Sequence, residues 1–399
     1  MFKVKWNQFL ALKKARRKDE IVVLFFLIHE SVWKYEGVYR LLEADEQFRP
    51  IIIVCPDIKF GREEMFLNIN KSFASFQSKG YNVLKSIDEE GKWLNVKKDL
   101  NPSVVFFTNP YPLTHPFYSI QNYLNKLTCY VPYNFGNSEL MDSFYNLDFH
   151  NLLWKHFAES KIHFEYSAQY SRSKGKNVVV TGYPGLDRLI KKKTLQVSEW
   201  KQSELIKIIW APHHSIEQDS ELGYSSFLSY AEFIFRILEK YKDKIQIAFK
   251  PHPLLKSKLS QLSSWGPVAT DHYYERWKVI ENGMLVEGDY IDLFLGSDAM
   301  IHDSGSFLIE YLYTGKPVLR TNSDRFFVDK LNSFAKRAYD VHYVAGKEED
   351  ITGFIENLIN KRDSLESARL KFRDEFLFSN GEGNASANIF NYLKSKLKR

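Results

Sequence analysis

The sequence predicts an α/β fold of two doubly wound domains. Three observations carry this expectation. Short apolar runs alternate with helical stretches along most of the chain, as βα units do. The alternation pauses once, at the polar stretch Lys191–Ser203, and then starts again. Finally, 399 residues are more than one typical domain holds. Parallel sheets covered by helices on both faces, with the two domains facing each other across a cleft, are the economical reading.

Residues 1–19 read as a basic amphipathic helix. Phe2, Trp6, Phe9, Leu10 and Leu12 are apolar, and Lys13, Lys14, Arg16, Arg17 and Lys18 follow them. Such a helix suits an anionic membrane surface; a terminal helix packed on its own domain is the plainer reading. The first domain then spans 20–195. Its expected strands are Ile21–Ile28, Pro50–Cys55, Tyr81–Leu84, Ser103–Thr108, Leu127–Pro132, Phe157–Glu159 and Asn177–Thr181. Helices are expected after Trp33 through Glu46, over Met65–Lys79 and over Tyr118–Leu127. Lys191–Ser203 is the expected linker.

The second domain spans 196–380. Strands are expected at Ile206–Trp210, Ile245–Lys250, Met284–Glu287, at the end of the apolar Leu293–Ile301 run, and at Val318–Arg320. Helices are expected over Phe227–Lys240, Tyr274–Asn282, Ile351–Asn360 and Leu365–Phe378. Residues 381–399 add a last helix, Ala385–Leu397, that suits packing back on the first domain.

Composition narrows the class. A hydrophobic share of 44% and a charged share of 26% are those of a soluble globular protein. The net charge of +6 is mild and diffuse, which suits anionic substrates and gives no nucleic-acid signature. Two cysteines, Cys55 and Cys129, lie in strand-like runs, so buried reduced thiols are expected. No secretory signal and no run of about 18 apolar residues is evident, so a cytoplasmic location is expected.

The chemistry-bearing residues fall just after strands. In the second domain these are Trp210–Ser215 (W-A-P-H-H-S), Lys250–Pro253 (K-P-H-P), Glu287–Asp289 and His302–Ser306 (H-D-S-G-S). In the first they are Tyr130–Gly136 and Thr181–Asp187. In open α/β sheets, ligands bind at such carboxyl ends. Asp303 and Ser304 are good N-cap residues, and Phe307, Leu308, Tyr311 and Leu312 have helical spacing up to Gly315 and Pro317. A helix start there, with Gly305 leaving room for close approach, would cradle phosphates. Glu310, four residues after Ser306, shares its face and could reach ribose hydroxyls. Histidines at three strand ends offer acid–base chemistry or phosphate contacts. His213, His214, His252 and His302 lack the spacing of a metal site, so no metal is expected. A P-loop, a G-x-G-x-x-G motif and a G-x-S-x-G elbow are missing, which argues against an NTPase, a dinucleotide dehydrogenase and an α/β-hydrolase.

Four stretches resemble, in order, the motifs of the CDP-glycerol glycerophosphotransferases, bacterial enzymes of teichoic-acid and capsule synthesis. They are V-V-V-T-G-Y-P-G-L-D-R-L, W-A-P-H-H-S-I, K-P-H-P and H-D-S-G-S-F-L-I-E-Y-L-Y-T-G-K-P-V-L, within about 180 to 320. The resemblance implies a GT-B fold, a donor bound mainly by the C-terminal domain, and peripheral attachment to the inner membrane face beside a lipid-linked acceptor. His252 matches the family's essential histidine. Asp303, Ser306 and Glu310 match its D-x-x-S-x-x-x-D pattern, with Glu for the last Asp. The chain departs from the family at Ser304-Gly305, where Tyr-Ser is usual, and at His213-His214-Ser215, where Thr-x-Arg is usual. The D-S-G-S…E…G-K-P-V-L-R wording also resembles the nucleotide loop of non-hydrolysing UDP-GlcNAc 2-epimerases, another GT-B group; their G-T-R-P-E start and H-x-E-A-G-x-R motif are missing.

The resulting expectation is transfer of a glycerol phosphate, or a related polyol phosphate, from a CDP-activated donor to an acceptor hydroxyl, lipid-linked or on an oligosaccharide. No cofactor is expected. His252, His213 and Asp303 are the candidate catalytic residues; Asp303 could orient His252 or cap the helix. Pro212, His214, Lys250, His302, Ser304, Gly305, Ser306 and Glu310 are the candidate donor-binding set. A first-domain residue, His213 or His214 would act as the base. The rivals are a GT-B glycosyltransferase using a CMP-, UDP- or GDP-sugar, and a non-catalytic nucleotide-binding assembly protein.

Overall fold

The computed structural model describes residues 2–190, 200–217, 223–326, 328–378 and 384–398. Most of the expected linker, 191–199, lies outside the described residues. The chain divides into two compact units. The first holds Met1–Gly136, Leu140–Asp187 and Phe376–Arg399; the second holds Asn137–Glu139 and Arg188–Glu375.

Among the described residues the first unit has a seven-stranded parallel sheet. Its strands are β1 (Ile21–Leu27), β2 (Phe48–Val54), β3 (Val83–Lys85), β4 (Val104–Phe107), β5 (Leu127–Tyr130), β6 (Lys155–Ala158) and β7 (Val178–Val180). Their order is β3-β2-β1-β4-β5-β6-β7, so the winding reverses between β1 and β4. β1 is apolar throughout because both its faces are covered. Ile21, Val23, Phe25 and Leu27 join one core, while Val22, Leu24 and Phe26 join the core on the opposite face.

The helix Phe2–Ala15 belongs to this unit. Gln8 is buried and donates to the Leu152 carbonyl at 2.9 Å. Phe2, Trp6, Phe9 and Leu10 remain exposed. The last helix, Ala385–Leu397, also packs here through Ile389, Leu393 and Leu397. Its start explains the G-Y-P-G-L-D stretch. Asp187 accepts from the amides of Ala385 and Ser386, both at 2.9 Å, so its carboxylate meets the unsatisfied N–H groups of a helix start. Gly182 sits at φ +90° with the Ala385 side chain 3.0 Å from where its own Cβ would be. This loop, expected to carry chemistry, is spent on docking the last helix.

The second unit has six parallel strands among its described residues. They are β8 (Ile206–Ala211), β9 (Ile245–Phe249), β10 (Gly283–Leu285), β11 (Ala299–His302), β12 (Val318–Thr321) and β13 (Tyr343–Ala345), in the order β10-β9-β8-β11-β12-β13. The winding reverses between β8 and β11. The helix Phe227–Lys240 covers one face, with Phe227, Ile234 and Leu238 packed on Ile208, Trp210, Ile247 and Phe249.

Several local expectations are corrected. Tyr118–Leu127 is two short 3-10 turns, Pro116–Tyr118 and Ile120–Tyr123, because the Tyr118 and Tyr123 side chains are pulled into the core. The helix expected at Tyr274–Asn282 runs over Gly266–Val279, with Pro267 in its first turn. The helices Leu255–Gln261 and Ser333–Tyr339 and the strand β13 were not expected. The helix after β11 does not begin at Asp303 or Ser304. It begins at Phe307, turns 3-10 at Tyr311, and ends on the left-handed Gly315 at φ +72°.

Candidate active site

β8, β9 and β11 are neighbours in the sheet, and the turns that follow them meet at the point where the winding reverses. β8 runs into Pro212–Ser215, β9 into Lys250–Pro253 and β11 into Asp303–Ser306. The His252 amide donates to the Pro212 carbonyl at 3.1 Å, which ties the second turn to the first. Pro212, expected among the donor ligands, is buried and is a strut for His252.

The three imidazoles form one cluster. Ring centroids lie 4.2 Å apart for His213 and His214, 4.2 Å for His214 and His252, and 5.2 Å for His213 and His252. Hydrogen bonds fix two of the tautomers. The Leu254 amide donates to His252 Nδ1 at 3.1 Å. The Ser215 amide donates to His213 Nδ1 at 3.2 Å. Ser215 Oγ accepts from the amides of Tyr224 and Ser225, so its own proton also points to His213 Nδ1, 2.9 Å away. In both rings Nδ1 is an acceptor, and the proton of the neutral imidazole is on Nε2.

Burial keeps these rings neutral. It lowers His213 to about 2 and His252 to about 3, and the neighbouring histidines push the same way. His214 is lowered too, by burial and then by Lys258. Lys258 is held by Glu217 at 2.7 Å. Lys250 is likewise lowered by burial, against the pull of Glu287 and Asp289.

Potential ligand atoms of His213, His214 and His252 lie within 4.8 Å of one another, which sequence spacing did not suggest. The hydrogen bonds speak against a cation there. In His213 and His252 one nitrogen already takes an N–H and the other carries the proton, so neither offers a free lone pair. The rings are set to donate, and an anion with several oxygens suits them better.

Asp303 is buried, and its carboxylate is the knot of the site. One oxygen accepts from the His213 amide. The other accepts from the Ser226 amide at 2.7 Å and the Ser226 hydroxyl at 3.0 Å. With its one proton on Asp303, that hydroxyl accepts from Thr321 Oγ1, 2.7 Å away. Burial raises the carboxyl to about 6, although the two amides and Arg320 favour its charged form. Asp303 therefore caps no helix after β11 and does not hold the His252 ring. It is a positioning residue that holds the His213 turn, β11 and the start of helix Phe227–Lys240 together.

Arg320, at the end of β12, lies wholly buried beneath the same turn. Its guanidinium donates to the carbonyls of Ser304 at 3.0 Å and Asp303 at 3.2 Å, and stacks 4.1 Å from the Phe326 ring centre. Gly305 has a steric reason: a Cβ there would lie 3.0 Å from Asn137 Nδ2 and 3.1 Å from Tyr224 Cε2. Asn137 also donates to the Gly305 carbonyl at 2.9 Å. Ser306 precedes the helix without a side-chain capping bond.

Two other expected residues sit differently. His302 is 0% exposed, facing His342 with ring centroids 5.4 Å apart, because it is the last residue of a strand paired on both sides. It is removed from the donor-binding set. Glu310 is buried, and its carboxylate accepts from the Tyr290 hydroxyl. Tyr224, Ser226 and Arg320 were missed, and Ser215 was quoted in its loop without a role. Arg320 had a signal, a charge closing the apolar V-L-R strand; the others sit in plain serine-rich wording.

Comparisons with known proteins bear on this arrangement. The sequence profile of the family described as CDP-glycerol:poly(glycerophosphate) glycerophosphotransferase matches residues 146–395. A search of curated proteins finds no match. Among solved structures, a variant of the wall teichoic acid polymerase TagF is similar at TM-score 0.65 and 14% identity, over 98% of this chain and 92% of that one. The same polymerase soaked with CDPG gives TM-score 0.63 and 12% identity, over 97% and 93%. The UDP-GlcNAc 2-epimerase of Neisseria meningitidis bound to UDP-GlcNAc gives TM-score 0.59 and 16% identity, over 94% and 100%. At these identities the likeness speaks for the fold, two Rossmann-like domains of the GT-B type.

Proposed function

Because the chain belongs to the CDP-glycerol:poly(glycerophosphate) glycerophosphotransferase family, we propose that it moves glycerol phosphate, or a related polyol phosphate, from a CDP-activated donor to an acceptor hydroxyl in cell-surface polymer synthesis. The observation that carries the reading is the neutral histidine cluster at the β8–β11 reversal, with two Nε2–H donors fixed by backbone amides. Phosphoryl transfer needs positioning and charge stabilisation more than covalent help. In this reading the acceptor hydroxyl gives its proton to a base, His214 or a first-domain residue, its oxygen attacks the donor's distal phosphorus, the bond to the bridging oxygen breaks, and CMP leaves. His252 and His213 donate to the diphosphate oxygens. Lys250 supplies positive charge, His214 lines the same pocket, and the Ser304–Ser306 turn receives the phosphates. Glu310 binds ribose by sharing its carboxylate with Tyr290. That TagF was soaked with CDPG supports the choice of donor.

A donor panel tests this. With CDP-glycerol, UDP-sugars and GDP-sugars offered alongside a mixed polyol and oligosaccharide acceptor, nucleotide release is expected from CDP-glycerol. Release from a sugar nucleotide alone would move the chain to the glycosyltransferases of the same fold.

The acceptor is read as lipid-linked, with the protein resting on an anionic membrane face. No helix among the described residues is long and apolar enough to cross a membrane. The N-terminal helix supports surface contact: Phe2 is 86% exposed and Trp6 53%, with Phe9 and Leu10 also outside and Lys13 over the Phe9 ring at 4.7 Å. Replacing Phe2, Trp6 and Phe9 by Ser should lower co-sedimentation with anionic vesicles; equal binding would remove the membrane reading.

A further inference from the structure

We propose that a pocket at the carboxyl ends of β4, β5 and β6 is a subsite for a hydroxyl of a neutral polyol or sugar, held by Glu159, Tyr145 and His150. The inference rests on the reading above, in which a hydroxyl-bearing acceptor takes the transferred group. The pocket lies wholly in the first unit, at the strand ends where open α/β sheets bind ligands. Tyr111, Tyr130 and Tyr133 form its aromatic walls.

Three of its lining residues carry a polar atom that is buried without a hydrogen-bond partner: Glu159 Oε2, Tyr145 Oη and His150 Nδ1. Their residues are 3%, 4% and 3% exposed. An orphaned buried polar atom is costly because it has given up water for nothing, so three around one pocket are a cost that a ligand can relieve. They come from separate segments. Glu159 follows β6, His150 is on the short helix Asp148–Leu152, and Tyr145 is on a π-helical turn, Asp142–Asn146. Single π turns recur at functional sites. Gly136 makes room for the phenol, since a Cβ there would lie 2.8 Å from Tyr145 Oη.

The chemistry selects the ligand. Burial raises the Glu159 carboxyl to about 8, so it carries its proton at neutral pH. Burial lowers His150 to about 3, so its ring is neutral. A protonated carboxyl, a phenol and a neutral imidazole nitrogen complement a hydroxyl, which has one proton to give and two lone pairs to fill. No Lys or Arg lines the pocket, so a phosphate would find no countercharge. Tyrosine faces flanking a hydroxyl site suit the C–H faces of a sugar or polyol.

Saturation-transfer NMR on the full chain, with methyl α-D-glucopyranoside and glycerol as probes, tests this. The wild type is expected to transfer saturation to at least one probe. Tyr145→Phe and Glu159→Gln should weaken that signal about tenfold, with the thermal shift given by CDP unchanged. Gly136→Ala, whose added methyl crowds Tyr145 Oη while leaving all three polar groups in the chain, should do the same and covers the case that a polar variant misfolds. Equal signals in wild type and variants, or none in wild type because the pocket holds an ordered water only, overturn the subsite. A second arm separates this from the proposed function. If CDP-glycerol supports acceptor-dependent CMP release, Tyr145→Phe should raise the acceptor KM about tenfold and leave the CDP-glycerol KM alone; an unchanged acceptor KM counts against the subsite. If no acceptor gives CMP release, the transferase reading fails while the NMR still decides the subsite.

Discussion

At the carboxyl ends of β8, β9 and β11, three imidazoles gather with lysines close by. At the carboxyl ends of β4, β5 and β6, a carboxyl, a phenol and an imidazole gather with no cation among them. The two sheets share one winding, with the first strand of each next to the fourth. The backbone therefore does not set the difference. What differs is how the polar atoms are spent. In the second unit the carboxylate of Asp303 is saturated by amides and a hydroxyl, and this holds the histidine turns in place. In the first unit Glu159 keeps one oxygen unpartnered. The same residue class serves as a knot in one half and as an open contact in the other. The first arrangement suits an anion, the second a neutral hydroxyl.

The comparison breaks most readily at the knot. Asp303→Ala leaves the amides of His213 and Ser226 buried and unpaired. We expect a loss of roughly 3 kcal/mol or more in urea unfolding, together with at least a hundredfold loss of donor turnover. Asp303→Asn, which keeps one carbonyl acceptor, should cost about half as much. A stable, active alanine variant would show that the carboxylate holds nothing.

The next test is acid. Six histidines are buried among the described residues: His150, His156, His163, His213, His302 and His342. Burial lowers all of them, four to about 2 or 3 and His156 to about 4, with His302 well below its usual range. Their unfolded forms take up protons near pH 6.5. The stability they contribute is present above pH 6.5 and is lost as pH falls toward their folded values. Each can contribute up to about 1.4 kcal/mol per pH unit in that window. Melting temperature should fall steeply between pH 6.5 and 5; a flat profile there would contradict the neutral state of both sites.

Glu159 works in the opposite direction. Its folded pKa is raised to about 8, so its contribution is complete below the ordinary carboxyl range and is lost as pH rises through 8. Among the titratable groups around it, burial raises Tyr130, Tyr133 and Tyr145 above their usual range and lowers His150 to about 3, so none of these four ionises in that interval. Glu159→Gln should therefore remove a contribution that declines by up to about 1.4 kcal/mol per pH unit between pH 5 and 8, so the variant gains stability more steeply than the wild type up to pH 6.5 and loses less above it. No difference between the two pH profiles would return Glu159 to an ordinary ionised carboxylate. A smaller effect is expected at the far surface: Trp6→Ser on the exposed face of the first helix should change stability by less than about 0.5 kcal/mol.

How much of this was legible beforehand follows from range of interaction. The βα alternation reported the two sheets because burial on both faces writes long apolar runs such as Ile21–Leu27. The strand-end positions of His213, His252 and Asp303 were equally plain. What the sequence hid was long-range hydrogen bonding. Nothing local says that Asp303 reaches Ser226, 77 residues away, or that Asp187 caps a helix starting at Ala385. His302 looked like a ligand because it stands beside Asp303; pairing on both strand edges turned it inward. Glu159 was passed over because a single carboxyl after a short strand has no pattern. Only the approach of Tyr145 and His150 gives it one.

The most direct measurement is calorimetric titration of CDP-glycerol into the wild type and into His252→Ala, with CMP release followed in parallel. The account predicts that the wild type binds and turns over the donor. The variant, still folded, should bind at least tenfold more weakly and release CMP about a hundredfold more slowly. Unchanged binding and turnover in the variant would contradict the claim that the histidine cluster grips the diphosphate.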